Sequence, residues 1–386
     1  MVNTSTRQLF DQLSEAEKSI RSKNINSDER LALANYIGNL YRALICMGQG
    51  DIEFDKNISF GGKKNYSKIV KSVNYYSDKL IKKFVDDKMF HRNYFYEILP
   101  DIEDEIFSMK HVDNNQDIYF SRKDFFDIFF QFMKSINQEE LFDKLYKDGN
   151  IYSTIIGQDI GNVGFTLFNP IDGQTDLFVK DLKYNLFDMN TLAHEVGHCF
   201  DLSKFDGNIS KYNKYFYLSF YGEVISRLFE RLLLDFLRKR NIAYNGVIRK
   251  QLEFNLLNHE FLLQAYILSL FTDDFIINDR YLDCDSNEIV EMIKSRFIDE
   301  DFIRVFIEGI ISFDLSEIYN YAYGDIISLF LFDEVNKYGF DNEMIEYFFR
   351  NRCELFNENF LRECGFGPGN YVKLYKKVNE HLKNDI

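Results

Sequence analysis

The chain has 386 residues and is 17% aromatic, with 40 Phe and 25 Tyr, so material for a large core is plentiful and the composition argues against disorder. A net charge of −15 argues against a nucleic-acid partner, because phosphate binding needs clustered Lys and Arg. Trp is absent and there are only three prolines, which suits a mainly helical chain; the length accommodates two lobes without requiring them.

The first residues, MVNTSTRQLFDQLSEAEK, lack the apolar stretch of a signal peptide, and no apolar run is long enough to span a bilayer. The five cysteines, at positions 46, 199, 284, 353 and 364, are odd in number and show no close pairing pattern. The expectation is a cytoplasmic protein without a membrane partner, its thiols packed as small apolar groups.

Residues 1–150 read as helical throughout. Leu9, Phe10, Leu13, Ala16 and Ile20 form one apolar stripe, and Leu31, Ala34, Ile37, Leu40, Tyr41 and Leu44 form another. The stretch Gly48 to Gly62 has little helical pattern and reads as a loop, whereas the aromatic run Phe125 to Phe132 reads as core. Between 150 and 180 the pattern changes. Tyr152–Ile156, Gly164–Phe168 and Thr175–Val179 are short runs rich in β-branched and aromatic residues, with turn chemistry at Asn169 to Gly173 between the last two. The chain is thus expected to be mainly α with a small β-sheet. Gly161 and Gly164 serve either an ordinary turn or the close approach of a bound backbone.

The segment Thr191 to Asp201, TLAHEVGHCFD, contains His194-Glu195-x-x-His198. On a helix the two histidines, four apart, lie one above the other and can share one ion, and Glu195 sits a quarter-turn aside, placed to touch a bound water without being a ligand. Asp188 or Asn190 is the expected N-cap. Leu192, Ala193, Val196, Cys199 and Phe200 fall on the opposite, core-facing side, which makes packing the expected role of Cys199. The chain has only six histidines, so two in this arrangement point to zinc.

A catalytic zinc site needs a third protein ligand. Tyr217 to Leu237 reads as a helix whose apolar stripe (Leu218, Tyr221, Ile225, Leu228, Phe229, Leu232, Phe236) opposes Glu223, Arg227 and Glu230. Glu223, following His198 after a turn and a returning helix, is the candidate ligand; the competing reading makes Glu223 and Glu230 solvated surface acids. Asn255–Phe271, Ile326–Tyr338 and Met344–Phe360 also read as helices, and Gly365 to Gly369 as a turn. Tyr319, Tyr321 and Tyr323 are candidate hydrogen-bond donors to an oxyanion, with structural roles equally open; on a helix Tyr319 and Tyr323 share a face from which Tyr321 points away.

These residues resemble the thimet oligopeptidase and oligoendopeptidase F metallopeptidases. His194-Glu195-x-Gly197-His198, then Glu223-Val224-Ile225-Ser226 and Glu230, match that family's HExGH and E-V-x-S-x-x-x-E patterns. Gly161-Asn162-Val163-Gly164-Phe165 is similar to its glycine-rich strand, and NENFLRECGFGPGNYVKLYKKV to its C-terminal segment; the likeness covers roughly residues 151–375. The resemblance implies a zincin-type catalytic domain over 151–386 and a helical region over 1–150 that forms one wall of a cleft. It also implies one zinc per chain on His194, His198 and Glu223, Glu195 as general base, and a peptide substrate along Gly161, Gly164 and Phe165. Asp201 stands where the family has another His and could orient an imidazole, with Glu230 also expected beside the ligands. The family's late His is missing beside the tyrosines, and its members are longer. Three readings follow: an oligopeptidase for short or unfolded peptides, a processing protease for one peptide, or a zinc-containing peptide-binding protein without turnover. The sequence leaves the oligomeric state open.

Overall fold

The structure is a computed structural model that describes residues 118–148, 151–154, 164–168, 175–180, 182–205, 221–242, 315–352 and 368–383, with single positions between 11 and 40 and at 248 and 251. The expected loop at 48–62, the turn at 169–173, Gly161, the helix at 255–271 and the glycines at 365 and 367 lie outside the described residues, as does most of the 1–150 region. The described part is mainly helical.

Helix α1 (Arg122–Ser135) begins at Ser121, whose hydroxyl accepts from the Asp124 N–H at 3.1 Å. Phe125, Phe129, Phe132 and Met133 recur at helical spacing and are buried, while Phe130 between them faces solvent. Helix α2 (Glu139–Lys147) adds Phe142 and Leu145 to the same core. Three strands follow: β1 (Ile151–Thr154), β2 (Gly164–Phe168) and β3 (Thr175–Lys180). β3 is central, parallel to β1 and antiparallel to β2, with Gly164 opposite Val179 and Phe168 opposite Thr175. Among the described residues β2 therefore lies at one edge of the sheet.

The sheet packs on helix α3 (Leu186–Ser203), which carries the HExxH segment. The chain enters α3 through Tyr184, a non-glycine residue in the left-handed region (φ 59°), whose carbonyl accepts from the Phe120 N–H at 2.8 Å. The N-cap is Asn185 rather than the expected Asp188 or Asn190. Its side chain accepts from the Asp188 N–H at 2.9 Å while Asp188 accepts from the Asn185 N–H, a reciprocal box that starts the helix a turn earlier. Asp188 also accepts from the Lys183 N–H at 2.5 Å.

Helix α4 (Val224–Lys239) packs along α3, and α5 (Leu315–Tyr338) packs on α4 in turn. α4 begins later than the expected Tyr217, with Glu223 at its N-cap position. α5 begins earlier than the expected Ile326 and takes in the whole tyrosine segment. Helices α6 (Glu343–Asn351) and α7 (Pro368–Lys383) close the described part. Phe132 on α1 meets Phe229 on α4 edge-to-face at 6.3 Å, and Phe229 in turn meets Phe200 on α3 at 5.6 Å, so aromatic contacts run through the core behind the HExxH face. No helix among the described residues is long and apolar enough to cross a membrane.

One buried ion pair ties the end of α3 to the end of α6. The Arg352 guanidinium pairs with the Asp201 carboxylate, donates to the Asp201 carbonyl at 2.9 Å, and lies 4.1 Å from the Phe205 ring centre and 4.7 Å from that of Phe349. Both residues are only 1% exposed. Removing one partner strands the other charge in the core. Arg352→Ala is therefore expected to cost about 3–5 kcal/mol in denaturant-induced unfolding, with Asp201→Ala similar.

Candidate metal centre and active site

His194 and His198 stand one turn apart on α3, and Glu223 reaches them from the start of α4. The two Nε2 atoms are 3.1 Å apart, and Glu223 Oε2 lies 3.3 Å from His194 Nε2 and 3.5 Å from His198 Nε2. These three side chains form the one group among the described residues able to hold a metal ion. Tetrahedral bonds of 2.0–2.1 Å put neighbouring donor atoms about 3.3–3.4 Å apart, so the observed triangle fits a zinc-sized cation held by two nitrogens and one carboxylate oxygen. The reading of Glu223 as a solvated surface acid does not describe this position, since its side chain is 15% exposed and faces both imidazoles.

Two close backbone approaches make the triangle. A Cβ built on Gly197 would sit 2.7 Å from Ser226 Cα, so any side chain there would push α3 and α4 apart. A Cβ on Gly324 would sit 2.5 Å from Glu223 Cβ, so α5 presses directly against the carboxylate's own backbone. Ser226 completes the setting: its hydroxyl lies 2.9 Å from both the Glu223 carbonyl and Glu223 Oε2.

The far side of His194 is also fixed. Its Nδ1 lies 2.6 Å from Glu230 Oε1, and Glu230 accepts from Arg227 Nη1 at 3.0 and 3.2 Å. With the Nδ1 proton donated to Glu230, the Nε2 lone pair would be free for an ion between His194, His198 and Glu223, the usual partnership of a carboxylate behind a metal-binding imidazole. Asp201 was the other residue expected to orient an imidazole. Its carboxylate goes instead to Arg352, and the one on His194 is Glu230.

Buried charges shape the protonation of the site. Burial alone would lower His194, but the hydrogen bonds and charges of Glu223 and Glu230 raise it to about 10. Burial would raise Glu223, yet His198 and His194 hold it well below the usual carboxylate range. Glu230 is likewise lowered against its burial, chiefly by Arg227 and then His194. The two carboxylates thus favour a proton on His194, which a cation entering the triangle would displace.

Glu195, on the same helix, is 4% exposed. Burial raises its carboxyl, opposed by the charges of His194 and His198 and by a hydrogen bond from Thr166. The Thr166 hydroxyl lies 2.9 Å from Glu195 Oε2 and 3.0 Å from the Glu195 carbonyl. Thr166 did not stand out in the sequence, although it follows Gly164 by two and so shares its face of β2. A Cβ on Gly164 would meet Glu195 Cγ and Oε1 at 2.9 Å, so the space left by this glycine is taken by the Glu195 side chain. Phe165 is in β2 with its side chain outside the described residues. Cys199 is fully buried, 3.9 Å from the Thr166 hydroxyl, and its thiol is raised by burial, which suits the packing role.

The three tyrosines lie on α5 but differ in setting. Tyr323 is fully buried in the core. Tyr321 is partly exposed, with its ring 5.2 Å from the Arg227 guanidinium, next to the carboxylate that holds His194. Tyr319 is in the helix, its side chain outside the described residues.

No family model matches the chain, and no curated protein does. Among solved structures it is similar to a "putative peptidase from Chlamydophila abortus" at 12% identity and a TM-score of 0.46, covering 90% of this chain and 60% of that one. A "putative oligoendopeptidase F from Bacillus anthracis str. Ames" gives 12% identity and a TM-score of 0.44 over 96% of this chain and 69% of that one. "PZ peptidase A with inhibitor 2" gives 10% and 0.44 over 96% and 71%. The chain thus spans less than two thirds of the first of these. All three are named as peptidases; likeness at this level does not assign a function, which has to come from the site itself.

Glu230→Gln keeps a polar group on His194 but removes the charge, and is expected to weaken zinc binding about 10–100-fold by chelator competition. Zinc affinity is also expected to fall as the pH is lowered from 8 to 6, because the His194 proton competes with the ion; calorimetry in buffers of different ionisation enthalpy should show proton release on binding.

Proposed function

We propose that the chain is a zinc metallopeptidase that hydrolyses peptide bonds in short or unfolded peptides. The observation that carries this reading is the convergence of His194, His198 and Glu223 within 3.1–3.5 Å of one another, with the buried carboxyl of Glu195 on the same helix. In this reading residues 151–386 form the catalytic domain, of the zincin kind, and residues 1–150 contribute a wall of the cleft.

His194, His198 and Glu223 would hold one zinc ion, which when bound supplies a Lewis acid that polarises the scissile carbonyl and makes water acidic. Glu195 takes the proton from the attacking water and hands it to the leaving amine. Burial raises this carboxyl above the usual carboxylate range, the direction that suits a group that must both accept and return a proton. Glu230 and Arg227 keep His194 in the binding tautomer. Tyr319, Tyr321 and Tyr323 on α5 stay the candidate donors to the developing oxyanion; of the last two, Tyr321 is partly exposed and Tyr323 fully buried.

An edge strand next to the metal helix has a use in this scheme. A peptide adding to β2 by main-chain hydrogen bonds would be fixed along its backbone without demand for a particular side chain, which suits an enzyme acting on varied short peptides. A cytoplasmic location belongs to the same reading, supported by the odd cysteine count and the free, buried Cys199.

Glu195→Gln is expected to bind one equivalent of zinc and to lose at least about 10²-fold in turnover of a mixed peptide library followed by mass spectrometry. Undiminished cleavage by that variant would exclude Glu195 as the base. Peptide binding without cleavage by the zinc-loaded wild type would turn the reading into that of a binding protein.

A further inference from the structure

We propose that Thr166 is a positioning residue for Glu195, holding its carboxyl in one orientation both before and after it takes a proton. This rests on the reading of Glu195 as the general base.

The geometry is a three-cornered contact. Thr166 Oγ1 lies 2.9 Å from Glu195 Oε2 and 3.0 Å from the Glu195 main-chain oxygen, so one hydroxyl faces two oxygens of the same residue. A threonine hydroxyl has one proton and two lone pairs. While the carboxylate is ionised, the hydroxyl donates to Oε2. If the proton arrives on the other carboxyl oxygen, that bond is kept unchanged. If it arrives on Oε2, the carboxyl donates to Oγ1 and the hydroxyl proton swings to the main-chain carbonyl. In every case the Thr166 proton stays on Oγ1, Oε2 keeps Thr166 as its partner, and no heavy atom needs to move.

The surroundings make the contact stiff. Thr166 is β-branched and sits in a strand paired residue by residue with β3, where Thr166 opposes Leu177. Gly164, on the same face of β2, leaves the space into which the Glu195 side chain fits, so the carboxyl lies against the strand over the span of two residues. The carboxyl of a base that shuttles a proton must not rotate away between taking it up and giving it back, and a hydroxyl that can switch its donor direction meets that need where a fixed donor such as an amide N–H cannot.

The test uses the full chain loaded with zinc and an internally quenched peptide chosen from those that the wild type cuts in a mixed library. Thr166→Val keeps the shape and removes the hydroxyl; it is expected to lower kcat at least about tenfold with KM within about threefold of wild type. Zinc stoichiometry and affinity by chelator competition should be unchanged, and Thr166→Ser should restore kcat to within about threefold. Full kcat in Thr166→Val, or a Thr166→Ser variant as impaired as Thr166→Val, overturns the proposal. So does a loss of zinc that accounts for the lost rate. Should Thr166→Val fail to fold, the same comparison is made between Thr166→Ala and Thr166→Ser. Glu195→Gln runs alongside. Cutting by that variant, or no cutting by wild type, removes the general-base reading and this proposal with it. An inactive Glu195→Gln beside a fully active Thr166→Val removes this proposal alone.

Discussion

Everything in the site depends on how closely α3 and α4 approach. Three lone pairs, from two imidazoles and a carboxylate, meet within 3.1–3.5 Å on side chains only 15–20% exposed, an arrangement that a bare protein tolerates only with a proton or a cation among them. The approach is set by backbone, since Gly197 faces the Cα of Ser226 and Gly324 faces the Cβ of Glu223. Flexible side chains alone would let the donor atoms relax apart. Helices locked by absent side chains do not.

Around that triangle the protein arranges charge in alternation. His194 is followed outward by Glu230, then by Arg227, then by the ring of Tyr321. Arg231, one turn beyond Arg227, pairs with Asp325 and donates to Ser328 at 2.6 Å, both on α5. Arg227 and Glu230 pair within α4, Glu230 reaches His194 on α3 and Arg231 reaches Asp325, so polar contacts join α4 to both α3 and α5. The cost of burying such groups is high when any one is unpaired, so the network favours a single arrangement of the three helices.

Much of this was legible in the sequence because the relevant signals are periodic. The four-residue spacing of His194 and His198 fixes their shared face, and the aromatic and β-branched run at 164–168 marks β2 to the residue. Glu223 was identified because it lies on the polar face opposite the apolar stripe of α4. What escaped were contacts between elements whose separation no periodicity encodes. Asp201 looked like a partner for an imidazole, since its place on α3 is right; its actual partner, Arg352, is 151 residues away and visible only when α6 is in place. Thr166 gave no composition signal, as threonine is ordinary in strands. The α3 cap was misplaced because Asp188 is a good capping residue in isolation, and only its reciprocal bonds with Asn185 make it the third residue of the helix. The tyrosine segment could not be resolved by helical projection, because the projection says which residues share a face and not which face meets α4.

The most direct test of the metal centre is a crystal of the zinc-loaded chain measured on either side of the zinc absorption edge. The account predicts one strong anomalous peak per chain, bounded by His194 Nε2, His198 Nε2 and a carboxylate oxygen of Glu223, with Glu230 still on His194 Nδ1. A peak at other residues, or no peak at this triangle in protein soaked with excess zinc, would contradict it.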